Sequence, residues 1–583
     1  MADLQVIVDD STADERRAVD DAVGEHAAVT VETERLVRGG GRRRRAARQY
    51  LLPGLHALQR EIGWISPGGM NYLCAVLQVP PAEAYGVASF YEMLRTTDPG
   101  HTDSVTHVCV DPACRIAGAE ALQERLESRN ERVRRAPCLG QCERAPARFV
   151  PGRGEDDHIP ADEKAAPGAY RLPQHGSPDL TLLRRIGAAD PTSLESYREH
   201  GGYRALDRAI NQGGEYVLGE IAAAELTGRG GAAFPTATKW RAVAAHPGTA
   251  KHVIANGDES EPGTFKDRIL MEHDPFAVVE ALTIAGLVTG AENGWIYIRG
   301  EYPLVTERLS AAVEQARAAG LLGGSVAASG QAFDIEIRRG AGAYICGEET
   351  ALFNSIEGFR GEPRNKPPYP TDSGLFGEPT VVNNPETLLN VLDVLEKGWE
   401  RYRERGTERS TGHRLFCVSG HVAEPGLYEA PFGLTLGELL ELAGGVTGTS
   451  RAILLGGAAG AFVGPDSLDL RLTLEDARAA GVTLGSGVVT VFDDTVDMRD
   501  VVTRIAEFFR EESCGQCVPC RVGTVRQHEV LVEMGPSGPL SASRRTLIDD
   551  MAAAMADASI CGLGHTAASA VRSAIELGLL EAR

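Results

Sequence analysis

Basic charge is scarce in this chain. Its 583 residues hold 59 Lys and Arg against 81 Asp and Glu, a net charge of −22. General nucleic-acid binding needs a basic face, and this balance argues against it. Long apolar runs are also missing. The best candidate for a membrane span, Phe276–Ala291, is interrupted by Glu280 and is too short to cross a bilayer. Residues 1–30 carry many Asp, Glu and Arg, where a secretory leader would need an apolar stretch. The expectation is a cytoplasmic protein with no direct membrane insertion and with reduced thiols. Cysteine is sparse: eleven in 583 residues is too dilute for a disulfide-stapled fold. No G-x-G-x-x-G occurs, so a bound nucleotide would not use the usual dinucleotide fingerprint.

The few cysteines are strongly clustered. Cys514, Cys517 and Cys520 follow a C-x2-C-x2-C spacing, and Cys561 lies forty-one residues further on in a glycine-flanked break. Three closely spaced thiolates and one remote thiolate suit the corners of a [4Fe–4S] cube. Zinc is the competing reading, but structural zinc sites usually pair cysteines as two separated knuckles. A second set comprises Cys109 and Cys114 (C-x4-C) and Cys138 and Cys142 (C-x3-C). The strand-like Val105–Val110 precedes it, and an amphipathic helix pattern, Ala117–Arg129, lies between the pairs. This arrangement suits a [2Fe–2S] cluster, with a zinc site or unrelated thiol pairs as alternatives.

Length and punctuation divide the chain into several domains. Residues 1–48 read as a flexible arm, acidic at Asp9–Asp21 and then basic, with seven arginines in Arg35–Arg48. A solvated tail is the plainer reading, and docking on an acidic partner the functional one. Leu51, Leu55, Leu58 and Ile62 recur at helical spacing, so 49–98 is expected to be a helical bundle. The Cys109, Cys114, Cys138 and Cys142 set falls in 99–155. A Pro-, Gly- and charge-rich linker covers 156–189. Residues 190–405 alternate as α/β, and 406–492 read as a compact α+β insert, with Cys417 as a core thiol. Residues 493–583 are helical and carry the Cys514, Cys517, Cys520 and Cys561 set.

Three loops in 190–405 carry chemistry. Thr227–Trp240 brings Gly228, Gly230, Gly231 and Lys239 together, suited to an anion. Asn256–Asp267 follows a strand-like run and holds several carboxylates, for a metal or for sugar hydroxyls. Gly340–Thr350 mixes glycines with Tyr344, Gly347, Glu348 and Glu349. Motifs alone imply a phosphate-bearing redox cofactor and no more.

Taken together, Gly228–Gly231, Asn256–Asp267, Tyr344–Thr350, Asn383-Asn384 and the Cys514/Cys517/Cys520/Cys561 set resemble the NADH-binding flavoprotein subunit of complex I and its soluble relatives. Tyr85–Tyr91 and the other four cysteines resemble the small [2Fe–2S] subunit of the same systems, here fused in front. The resemblance implies a multidomain α/β and α+β protein. Its parts would be a helical bundle, a thioredoxin-like domain, a Rossmann-like FMN domain, a ubiquitin-like β-grasp insert and a C-terminal helical bundle. It implies FMN, one [4Fe–4S] cluster, one [2Fe–2S] cluster, and NAD(H) as substrate. Gly228, Arg229, Gly230 and Lys239 would hold the FMN phosphate and ribityl groups. Asn256, Asp258 and Glu259 would contact the flavin, with Asn383, Asn384 and Thr387 on its other side and Tyr344 nearby. Phe234 and Tyr369 would sandwich the adenine, and Glu348 would lie near the nicotinamide. Ala233 and Ala237 stand where the family usually has Gly, and Pro385 where it has Val. The fusion, Arg135–Cys138 and the 23 residues between Cys114 and Cys138 look most like the β subunit of soluble molybdenum- or tungsten-dependent formate dehydrogenases. The implied partner is then an iron–sulfur, metal-pterin catalytic subunit. NAD-reducing hydrogenase and complex I-type modules are the rival settings.

Overall fold

The computed structural model describes residues 10–24, 47–98, 100, 105–151, 157–160, 168–248, 250–535, 538 and 540–581.

Among the described residues, the N-terminal bundle shows the helices Ala13–Val23, Leu51–Ile62, Pro67–Leu77 and Pro81–Ala88. The first lies inside the stretch expected to be a flexible arm. Thr12 and Glu15 close a capping box at its start, and Val19 and Val23 are buried. An acidic sequence therefore folds here because one apolar edge meets the leucine face of Leu51–Ile62. Arg35–Arg45 lies outside the described residues. Arg48 stacks over Phe359 and donates to the Gly358 carbonyl at 3.0 Å, which ties the bundle to the large domain.

The next sheet comprises β1 (Thr106–Cys109), β2 (Val133–Ala136), β3 (Ala147–Val150) and β4 (Asp157–Pro160), in the order β2-β1-β3-β4. Helices Pro112–Ile116 and Ala119–Ser128 cross between the parallel pair β1 and β2. β4 pairs with β3 beyond residue 155, so the sheet extends past the expected end of its domain. The expected linker also differs. Leu182 and Leu183 are buried, and the amides of Thr181, Leu182 and Leu183 all donate to the Glu429 carboxylate. That segment is a packed strap, because one buried carboxylate satisfies three successive backbone donors.

The large domain contains β5 (His252–Gly257), β6 (Asn293–Ile298), β7 (Asp334–Arg339) and β8 (Thr380–Asn383), all parallel, in the order β7-β6-β5-β8. Its apolar helix Pro275–Thr289 is buried along nearly its whole length. Glu280, the residue that breaks its hydropathy, accepts from the Tyr197 hydroxyl and the Tyr203 and Leu206 amides. Strand order reverses at β5, with β6 and β7 on one side and β8 on the other. A crevice at the C-terminal ends of β5 and β8 is where such sheets bind ligands.

A mixed sheet follows: β9 (His413–Gly420), β10 (Gly426–Pro431), β11 (Ser450–Leu455), β12 (Ala461–Val463) and β13 (Val488–Asp493), ordered β10-β9-β13-β11-β12. With the helix Leu436–Leu442 it forms the expected β-grasp unit. The C-terminal helices begin with Met498–Glu512 and Val518–Met534, and Cys514 and Cys517 lie in the break between them. Among the described residues, no helix is long and apolar enough to cross a membrane.

Candidate functional site

Two adjoining cavities, of about 690 and 470 Å³, open at the ends of β5 and β8. Gly230, Asn256, Gly347, Glu348 and Asn384 line both. Gly228, Phe234, Lys239, Glu349, Tyr369, Asn383 and Thr387 line the first; Asp258, Glu259 and Tyr344 line the second. The three sequence-distant loops thus converge on one place.

Close packing explains the glycines. A Cβ on Gly230 would stand 3.2 Å from the Asn384 side chain, and one on Gly347 would stand 3.3 Å from Asp258. Asn256 donates to the Gly347 carbonyl at 2.8 Å, which fastens two of the loops together. Ala233 adopts a left-handed conformation at φ 52°, the region that glycine tolerates best. Pro385 occupies the first turn of the helix Pro385–Lys397, where its fixed φ costs nothing and Asn384 caps the end. Lys239 reaches the cavity and donates to the Val382 carbonyl at 2.8 Å. Burial lowers its pKa.

The side chain of Arg229 departs from expectation. It is fully buried and lines neither cavity. Its guanidinium donates to Thr227 Oγ1, the Tyr402 hydroxyl and the Thr411 carbonyl, over the Phe432 ring. Only its backbone is spent on the loop, donating to Thr387 Oγ1 at 2.8 Å. Glu259 also turns inward. Its carboxylate accepts from Thr264 Oγ1 and from the Asp267 and Arg268 amides at the start of the helix Lys266–His273. Burial and the neighbouring Asp267 raise its pKa to about 7 despite these donors, and Glu259 reaches the cavity wall as part of the scaffold.

Among the lining residues not singled out from the sequence, Glu261 and Lys366 are charged. Glu261 accepts from the Tyr344 hydroxyl at 2.6 Å and from the Ala459 amide at 2.8 Å. Lys366 bridges Glu348 and Glu349 at 2.8 and 2.6 Å. Both sit in stretches whose density of charge, prolines and glycines marks them as loops, but no spacing rule picks out either residue. Burial raises Asp258 to about 8 and Glu261 to about 7.

Each cysteine set closes on itself. The Cys138 and Cys142 sulfurs are 3.4 Å apart, and the Cys109 thiol interacts with those of Cys114 and Cys138. Thiol hydrogen bonds from Cys109 and Cys142, with Arg299 nearby, hold Cys138 well below the ordinary thiol range. Pro262 and Gly263 of the acidic loop line the same small cavity as Cys109, Cys114 and Cys142. At the other site, Cys514, Cys517, Cys520 and Cys561 line one cavity together. Burial pushes Cys520 up to about 12 and Cys561 up to about 11, a cost that a bound cation removes. Four cysteines around one cavity, with Ser513 Oγ 3.3 Å from the Cys520 sulfur, fit an iron–sulfur cluster. Ile345 and Leu563 line both this cavity and the second loop cavity.

Known families match each part. A Nuo51 FMN-binding domain matches residues 221–393, and the NADH-ubiquinone oxidoreductase-F iron–sulfur binding region matches 500–577. A thioredoxin-like [2Fe–2S] ferredoxin matches 41–161, and an SLBB domain matches 415–458. An NADH-quinone oxidoreductase subunit of Aquifex aeolicus is 42% identical over 397 residues, 68% of this chain and 92% of that protein. NAD-reducing hydrogenase HoxS subunit alpha of Cupriavidus necator is 34% identical over 567 residues, 92% of this chain and 91% of that protein. A chain of an air-oxidized NAD+-reducing [NiFe]-hydrogenase superposes with a TM-score of 0.76 at 31% identity, over 91% of this chain and 93% of that one.

Fold and sites together define an iron–sulfur flavoprotein with a nucleotide cleft. The chain belongs to the family of NADH-binding flavoprotein, or diaphorase, subunits, with FMN-binding, [4Fe–4S] and thioredoxin-like [2Fe–2S] parts in one polypeptide.

Proposed function

We propose that this chain is the NAD(H)-facing subunit of a soluble assembly that reduces NAD+ with electrons from a metal-dependent partner. The observation that carries the reading is the wall shared through Ile345 and Leu563, which sets the loop cavities beside the four-cysteine site. When bound, FMN exchanges a hydride with NAD(H) and single electrons with iron–sulfur clusters. The residues bind and orient. Gly228, Gly230 and Lys239 receive the FMN phosphate, and Asn256, Asp258, Asn383, Asn384 and Thr387 enclose the ring system. Tyr344 and Glu261 close the side nearest the cluster. Phe234 and Tyr369, 48% and 57% exposed at the rim, grip the adenine. Glu348 and Glu349, held by Lys366, leave one net negative charge that disfavours a 2′-phosphate.

The partner reading is a molybdenum or tungsten formate dehydrogenase subunit, supported by the compact Cys114–Cys138 spacing and the fusion. An NAD-reducing hydrogenase partner is favoured instead by the likeness to HoxS subunit alpha, which extends over 92% of the chain. Co-purifying the native complex and measuring its metals separates them. Molybdenum or tungsten supports the first, nickel the second, and neither leaves a complex I-type module.

A further inference from the structure

The helix Met498–Glu512 leads directly into Cys514. One of its faces carries Asp500, Arg504 and Glu507, at the i, i+4, i+7 spacing of a helical stripe. Each meets a residue beside a cysteine of the other site. Arg115, next to Cys114, pairs with Asp500. Arg135, three residues before Cys138, donates to Glu507 at 3.0 Å. Between them Arg504 Nε donates to Asp111 Oδ1 at 2.8 Å, and Asp111 Oδ2 accepts the Cys138 amide at 2.7 Å. Arg504 and Asp111 are each 3% exposed at their side chains. The adjoining face, through Val501, Ile505 and Phe508, packs into the core that includes Cys520 and Cys561.

We infer that Arg504 is a positioning residue for the [2Fe–2S] site. It places a buried positive charge against Asp111, which fixes the Cys138 segment, and it supports the reduced state of that centre from the [4Fe–4S] domain. One-electron reduction adds one negative charge to a cluster. A buried cation nearby favours that state, and hydrogen bonding and net charge around the sulfurs set cluster potentials. Without Arg504, Asp111 loses the guanidinium that pairs with it inside the fold. A purely structural link would also hold the domains together but would not need a cation. The isolation of this pair from solvent makes its charge effective over the short path through Asp111 to Cys138.

The inference rests on the reading of Cys109, Cys114, Cys138 and Cys142 as the [2Fe–2S] ligands. The test is an EPR-monitored redox titration of the full, cofactor-loaded chain. Arg504→Gln should lower the [2Fe–2S] reduction constant about tenfold, roughly 59 mV for a one-electron couple, with the [4Fe–4S] midpoint moving less. Arg504→Lys should restore most of the shift. Arg504 Nη1 also donates to Glu507 at 2.9 Å and to Glu511 at 2.8 Å, so Glu507→Gln removes a competing anion while leaving Arg504 and Asp111 in place, and it should move the same midpoint upward. This second variant carries the test if Arg504→Gln does not assemble its cluster. An unmoved [2Fe–2S] midpoint in a variant that keeps its signal overturns the inference. A wild-type chain with no [2Fe–2S] signal overturns the ligand reading beneath it.

Discussion

The Tyr344 hydroxyl donates to the Glu261 carboxylate at 2.6 Å, on the side of the loop cavity that faces the cluster cysteines. Tyr344 also donates its amide to Glu512, two residues before Cys514, at 2.9 Å. One residue therefore ties the acidic loop to the last turn before the cluster. Replacing Tyr344 with Phe removes a hydrogen bond to Glu261 that is charge-assisted, at about 1.5–3 kcal/mol, only above about pH 7 where Glu261 is ionised, and leaves Glu261 with the Ala459 amide. Turnover with NADH and an artificial acceptor should fall several-fold while iron content is unchanged. Unaltered kinetics would show that this contact is not used.

Buried carboxyls give the chain an unusual pH response. Asp258 is raised from 3.8 to about 8 and Glu261 from 4.5 to about 7, in both cases first by burial. In the folded chain they hold protons that the unfolded chain has already released. Stability from these two groups therefore falls as pH rises from about 4 to about 8. Asp258→Asn should flatten that decline in thermal melts between pH 5 and pH 9. A variant whose melting tracks the wild type across the range contradicts the assignment.

Ala233 holds φ at 52° in the loop lining the cavity. A left-handed alanine costs about 1 kcal/mol relative to glycine, partly offset by glycine's larger entropy loss. Ala233→Gly should be neutral to stabilising by up to about 1 kcal/mol in denaturant unfolding. A clear destabilisation would mean that the methyl packs usefully.

Arg229 and Lys239 should behave differently. Arg229 is enclosed by Thr227, Tyr402, Thr411 and Phe432, so Arg229→Met should cost roughly 3 kcal/mol of stability. Lys239→Met should leave unfolding nearly unchanged and weaken FMN retention, read as flavin fluorescence in the filtrate. The reverse pattern would restore Arg229 as the phosphate ligand.

Tyr369 is 57% exposed at the rim of the first cavity. Its loss as Tyr369→Ala removes a stacking surface of about 1 kcal/mol, so KM for NADH should rise several-fold with kcat and FMN content held. A fall in kcat at constant KM would place the adenine elsewhere.

What the sequence made legible was local and chemical. Cys514, Cys517 and Cys520 declare themselves by spacing, and the glycines of 228–231 by the approach they permit. Partners across domains were hidden. Arg229 reads as an anion ligand until Tyr402 and Thr411 are seen to enclose it, and those residues lie far along the chain. The helix Ala13–Val23 is too acidic to stand out, since two buried valines supply its apolar edge. The strap at 181–183 is ordered by Glu429, which no periodicity could connect to it. Glu261 and Lys366 escaped notice because their roles come from convergence of loops.

The proposed exchange between NAD(H), FMN and iron–sulfur clusters runs in both directions, so NADH bound at the cleft should also reduce the clusters of this chain. Anaerobic addition of NADH to the purified chain, loaded with FMN and iron–sulfur clusters, followed by low-temperature EPR, tests it directly. The account predicts two reduced iron–sulfur signals, with the one from Cys514, Cys517, Cys520 and Cys561 lost in Cys561→Ala. Bleaching of the flavin with no iron–sulfur signal, or zinc in place of iron at these cysteines, would contradict it.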